Sequence, residues 1–241
     1  MTVDFITFCC PKDIHKLHEP GYLKAITTSH QFAFDNILVV HQRCQGMEYI
    51  PFKPFGIPIW TLESESYPDI LKEHGMSEDD PGAASLSSGP NSAHWWVNHT
   101  INHLIGLKES HADYIVFSDC DCTIKESDPT RSWIEEGIYL LQRHPDILIV
   151  SPGDGGQMAE RRIDGARLTQ NVSQQTFLCH RHTFRHVDFN IPWNWEVLAP
   201  GGPMREYYAM LEGRIWRWMH KHNLWRAILT DKWRYWHWQW H

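Results

Sequence analysis

The chain alternates short apolar runs with longer stretches of mixed character. Val3-Asp4-Phe5-Ile6-Thr7-Phe8 is β-branched and aromatic and stops at Cys9-Cys10-Pro11, which predicts a buried first strand. Asn36-Ile37-Leu38-Val39-Val40-His41 predicts a second strand and Ile57-Pro58-Ile59-Trp60-Thr61-Leu62 a third. Residues 13–33 read as a helix after a Pro-Lys-Asp turn. Strands spaced this way, with a helix between, belong to strand–helix–strand crossovers. A helix from about Ser92 to Leu107 carries Val97, Ile101, Leu104 and Ile105 on one stripe, with His94, Asn98 and Asn102 on another. Ala112-Asp113-Tyr114-Ile115-Val116-Phe117-Ser118 is the strongest strand, and it runs straight into Asp119-Cys120-Asp121. Asp128-Pro129 supplies an N-cap and a first-turn proline for a helix carrying Ile134, Ile138 and Leu141. Ile147-Leu148-Ile149-Val150-Ser151 is a fifth strand. Gln175-Thr176-Phe177-Leu178-Cys179-His180 is a further one, antiparallel or at an edge. Tyr208, Leu211, Ile215, Trp218 and Met219 form a late helical stripe. Residues 63–92, rich in Ser, Gly, Pro and acids, form a long excursion, and 157–173 show no clear period.

Composition adds limits. The 241 residues are 42% hydrophobic and 21% charged, which is globular and excludes a disordered or fibrous chain. No apolar run is long enough for a membrane helix, and the first residues have no secretory pattern, so a cytoplasmic location is expected. The six cysteines show no CxxC spacing and are expected to be reduced. The net charge of -7 divides unevenly: residues 1–152 carry 10 basic and 21 acidic groups, and residues 153–241 carry 12 basic and 8 acidic. Arg161, Arg162, Arg167, Arg181 and Arg185 lie in the positive part, and from their charge a face for an anionic partner, DNA included, is expected there. Nine of the thirteen tryptophans lie between Trp193 and Trp240, so the C-terminus is a Trp-rich extension.

Chemistry concentrates at Asp119-Cys120-Asp121. Ligands bind at the carboxyl edge of open α/β sheets. Two carboxylates one residue apart, where the backbone bends, can converge on one hard cation such as Mg²⁺ or Mn²⁺. Such an ion would neutralise a diphosphate and help it leave.

Tyr114-Ile115-Val116-Phe117-Ser118-Asp119-Cys120-Asp121 resembles the Asp-x-Asp stretch of the GT-A glycosyltransferases, and the pattern of elements resembles theirs over about residues 3–215. The resemblance implies a GT-A-like, Rossmann-type α/β fold with a mostly parallel central sheet flanked by helices. It implies one domain over 1–241, with a nucleotide-sugar-binding half at 1–125 and an acceptor-binding half with its tail at 126–241. The activity implied is transfer of a sugar from a nucleoside-diphosphate sugar, UDP first, with Mn²⁺ or Mg²⁺ held by Asp119 and Asp121. Ser118 and Cys120 would border the donor, and Asn98 on the preceding helix, with Trp95 beside it, would approach it. Cys10, Lys12 and Asp13, in the loop after the first strand, would meet base, ribose and phosphate. His237 is the expected third metal ligand, with His241 behind it. Glu206, in Pro203-Met204-Arg205-Glu206, is the nearest match to the family's late acidic residue, with Glu212 as fallback; the usual Glu-Asp pair is absent. Hydroxymethylated pyrimidine in DNA is one acceptor compatible with the basic half.

Two other readings compete. Asp119-Cys120-Asp121-Cys122-Thr123 also resembles the nucleophile motif of haloacid-dehalogenase-type phosphohydrolases, with Asp119 attacking phosphorus, but no lysine or acidic pair follows where that chemistry needs them. A non-enzymatic carbohydrate or nucleic-acid binder would use the tryptophans as a platform and leave the Asp pair unexplained.

Overall fold

The computed structural model describes residues 1–9, 19, 21–41, 59–63, 66–76, 98–126, 132–153, 159–173, 175–191, 211–229 and 233–237. The strands are β1 (Val3–Cys9), β2 (Asn36–His41), β3 (Ile59–Glu63), β4 (Tyr114–Asp119), β5 (Cys122–Glu126), β6 (Ile147–Ser151), β7 (Arg161–Ile163), β8 (Ala166–Thr169), β9 (Thr176–His180), β10 (Trp225–Leu229) and β11 (Trp233–His237). The helices are α1 (Tyr22–Ser29), α2 (Ile70–Glu73), α3 (Asn98–Glu109), α4 (Trp133–Arg143), α5 (Arg181–Phe184) and α6 (Leu211–His222).

A nine-stranded sheet in the order β3-β2-β1-β4-β9-β6-β10-β8-β7 forms the centre. β3, β2, β1 and β4 are parallel neighbours; β9 runs antiparallel to both β4 and β6, and β8 runs antiparallel to β10 and β7. Since β6 and β10 pair in parallel, every strand except β9 and β8 points the same way. The α/β architecture expected from the strand spacing is therefore present. β9 is antiparallel as expected but interior, because both its faces and both its edges are used.

Each face of the sheet has its own core. Phe5, Ile37, Val39, Val116 and Leu178 pack with α1, α4 and Ile124 of β5. Ile6, Phe8, Val40, Phe117 and Phe177 pack with α2, α3 and α6. Successive strand residues alternate between these cores, as a sheet buried on both sides requires. Gly106 lets α3 lie close to the sheet: a Cβ there would sit 2.8 Å from Ile6 Cγ2 and 3.3 Å from Phe117 Cε1.

Several boundaries differ from expectation. α4 begins at Trp133, capped by Ser132, whose Oγ accepts from Ile134 N at 3.2 Å while Glu135 closes the capping box. Asp128 and Pro129, the expected cap, lie outside the described residues. The excursion over 63–92 contains α2, which buries Ile70 and Leu71 and ties to α3 through Glu73 Oε1 and Lys108 Nζ at 2.6 Å. The patternless stretch 157–173 contains the β7–β8 hairpin, turned at Asp164 and Gly165, both at positive φ. β5 and β11 form a separate antiparallel ribbon. No described helix is long and apolar enough to cross a membrane.

Candidate functional site

β4 delivers Asp119 to the carboxyl edge of the sheet. Its register sets Phe8 of β1 opposite Asp119, so β1 ends beside it. On the other side, Asp119 N–H donates to the Gln175 carbonyl at 2.8 Å. After Asp119 the chain leaves the main sheet: Cys120 and Asp121 turn, and Cys122 starts the β5–β11 ribbon. The turn is held from outside. The Tyr22 hydroxyl of α1 donates to the Cys120 carbonyl at 2.9 Å, and Ile124 N–H donates to Ser29 Oγ at 3.0 Å.

This bend brings two carboxylates and a thiol together. One ligand atom each from Asp119, Asp121 and Cys122 lies within 4.8 Å of the others. Asp119 and Asp121 are half-buried, while Cys122 is fully buried. Burial, then the charges of Asp119 and Asp121, push the Cys122 thiol well above its ordinary pKa. The two carboxylates supply hard oxygen donors, which suit Mg²⁺ or Mn²⁺.

Other expected site residues fall around the same edge to different degrees. α3 starts at Asn98 and ends near Ser110, whose Oγ reaches Asp4 at the amino end of β1. The Asn98 end of α3 is thus at the carboxyl edge. α6 ends where the Met219 carbonyl meets Leu224 N–H, just before Trp225 N–H bonds to Asp146 at the amino end of β6. Its first turn, with Glu212, therefore also faces the carboxyl edge. β11 sets the His237 backbone opposite Cys122, one residue from Asp121. Cys10, Lys12, Asp13, Trp95, Glu206 and His241 lie outside the described residues.

Ser118 is fully buried, with its hydroxyl 3.0 Å from Thr176 Oγ1. Cys120 is likewise buried and contributes its carbonyl to Tyr22. The arginines of 161–185 do not form one face beside the Asp pair. Arg161 pairs with Asp146 and stacks over Trp225 at 4.4 Å, at the amino end of β6. Arg162 and Arg167 are on the outermost hairpin, and β8 is four strands from β4. Arg181 and Arg185 follow His180, which pairs with Tyr114 at the far end of β4 from Asp119. Cys122, Thr176 and Tyr22 are the site-building residues that sequence reasoning missed. The Asp-Cys-Asp-Cys alternation was the one available signal, since a bend after Asp119 puts Cys122 back against it.

No protein-family model and no curated protein matches the chain. Solved structures do. TarS of S. aureus is similar at 14% identity and a TM-score of 0.44, over 98% of this chain and 36% of TarS. Xyloside xylosyltransferase 1 of mouse is similar at 10% identity and a TM-score of 0.48, over 96% of this chain and 79% of that one. Glucosyl-3-phosphoglycerate synthase from Mycobacterium tuberculosis, in complex with Mn²⁺ and UDP, is similar at 13% identity and a TM-score of 0.39. That match covers 75% of this chain and 57% of the synthase.

Proposed function

We propose that the protein is a metal-dependent glycosyltransferase of GT-A type that takes its sugar from a nucleoside-diphosphate sugar, with UDP the first candidate. The observation that carries this reading is the convergence of Asp119 and Asp121 where the chain bends away from the end of β4. Asp121 and Asp119 hold the divalent ion, and His237, opposite Cys122 in the ribbon, completes its ligands. The ion, when bound, offsets the charge of the diphosphate and favours its departure. Tyr22 and the Asp119 N–H bond fix the bend so that the carboxylates are oriented before the donor arrives. The amino end of α3, with Asn98, and the loop after β1, with Cys10, Lys12 and Asp13, border the donor. The amino end of α6 borders the acceptor, where Glu206 or Glu212 takes the proton from the acceptor hydroxyl. Residues 1–125 then serve the donor and 126–241 the acceptor. Separation of Arg161 to Arg185 from this edge weakens DNA as the acceptor and favours a neutral hydroxyl.

A thermal-shift panel of UDP, GDP, CMP and TDP sugars, each with and without Mn²⁺, tests the class and the nucleotide together. Stabilisation by one nucleotide that requires the ion is expected. Indifference to every nucleotide, or phosphate release from monoesters with Mg²⁺, would exclude the reading.

A further inference from the structure

At the opposite edge of the sheet, a cavity of about 280 Å³ opens between the amino ends of β1, β2 and β3 and the carboxyl end of α3. A strand of six residues spans about 20 Å, so this cavity and the Asp pair lie at opposite ends of the molecule's central strands. Leu38 and Leu62 supply part of its apolar lining. Trp60 of β3 also lines it and is 59% exposed, a large aromatic left in the open. Around the ring stand Asp4, Asn36, Glu109 and His111.

The polar groups are already fixed in place. Asp4 is buried, and its oxygens accept from Asn36 Nδ2 at 2.8 Å and from Ser110 Oγ at 2.7 Å. Glu109 is hydrogen-bonded to the Tyr67 hydroxyl, and Arg181 lies within electrostatic reach of Asp4. The two carboxylates are thus satisfied in part by donors and by a cation, which argues against a bare cationic ligand. What remains is a mixture: carboxylate lone pairs, the Asn36 amide with both a donor and an acceptor, and the His111 ring. A hydroxyl donates and accepts at once, so it matches such a mixture better than an ammonium or a phosphate does. An exposed indole face beside it suits the apolar face of a pyranose. The volume is near the lower end of ligand cavities, enough for one ring.

We propose that this cavity is a binding subsite for a neutral sugar residue, separate from the Asp119–Asp121 site. Trp60 stacks on the ring, and Asn36, Glu109 and His111 hydrogen-bond its hydroxyls. The subsite holds a sugar of a longer glycan without taking part in turnover.

Saturation-transfer NMR with glucose, N-acetylglucosamine and maltotriose tests this on the full chain. Asp121→Asn is used as a second background, so that saccharide binding at the metal site does not contribute. Trp60-dependent signal is expected in both backgrounds, with Trp60→Ala weakening binding at least tenfold and Trp60→Phe less. Because Trp60 is exposed, its melting temperature and its Mn²⁺-dependent donor hydrolysis should match the parent. A signal that Trp60→Ala leaves undiminished in both backgrounds, or no signal from any of the three sugars, overturns the proposal. So does a Trp60-dependent signal from tetramethylammonium without one from the sugars. Donor hydrolysis reports on the other site independently.

Discussion

Burial holds the His30 imidazole down to about 3, from an ordinary value near 6.5. Its Nδ1 accepts from Trp133 Nε1–H at 3.1 Å, and Phe5 and Phe34 flank the ring. Folding therefore requires the neutral form. Above pH 6.5 both states are neutral and the group is silent; below it the unfolded chain takes up a proton that the folded chain refuses. Stability is lost as pH falls through the window from 6.5 toward 3. At pH 5 the loss amounts to about 2 kcal/mol, from 1.36 kcal/mol per unit. Urea unfolding at pH 7.5 and pH 5 should show that loss in the parent and much less of it in His30→Asn. Residue-scale legibility was uneven in just this way. Asp119 and Asp121 were readable because charged residues at the end of an uninterrupted apolar strand are out of place unless used. Cys122 was not, because a small buried cysteine looks the same whether it lines a core or an acidic bend. The placement of His237 through the β5–β11 register predicts that His237→Ala raises the Mn²⁺ concentration for half-maximal activity by roughly tenfold or more, with kcat largely kept at saturating metal. An unchanged Mn²⁺ dependence would remove it from the ligand set.

At the scale of elements, continuous apolar runs marked the central strands, and stripes at a period of 3.6 marked α3, α4 and α6. β2 and β6 match their predicted limits because each is a continuous apolar run between turns. β10 and the β7–β8 hairpin were missed because Trp225-Arg226 and Arg161-Arg162 read as polar surface. Arg226 is in fact fully buried and donates from Nε to Ser151 Oγ at 2.6 Å. A long guanidinium inside the sheet breaks the polarity rule on which a strand assignment depends. Helix packing gives a prediction with competing signs. Gly106→Ala gains about 1 kcal/mol of helix propensity, but its methyl would meet Ile6, a stiff side chain of central β1, at 2.8 and 2.9 Å. Overpacking of this kind costs about 1–3 kcal/mol, so net destabilisation is expected, read as a lower urea midpoint with an unchanged slope. Ser132→Ala should cost about 1 kcal/mol by the same measurement, since the hydroxyl serves both Ile134 N–H and the His30 carbonyl.

For the whole molecule, the two edges of the sheet carry different chemistry. The carboxyl edge collects the Asp pair, the amino ends of α3 and α6 and the ribbon, because α3 and α6 each run opposite to the strand that follows them. The amino edge collects Trp60, Asp4 and Glu109. Among the described residues, Arg161 to Arg185 do not form one basic face, because the β7–β8 hairpin lies at the far edge of the sheet from β4 while Arg181 and Arg185 follow β9. Glu212→Gln and Glu206→Gln compare the two acidic candidates for the base. The one that serves as base should lose about 10²–10⁴-fold in transfer with donor hydrolysis less affected, and equal small losses from both would remove both from that role.

The proposed activity depends on oxygen ligands from the β4 bend. Diffraction from a crystal soaked with Mn²⁺ and a UDP-sugar, measured for anomalous scattering, tests this most directly. One manganese peak within bonding distance of carboxylate oxygens of Asp121 and Asp119, and of the donor diphosphate, is the predicted result. A donor bound with its diphosphate elsewhere, or a manganese peak that leaves both aspartates unligated, would contradict it.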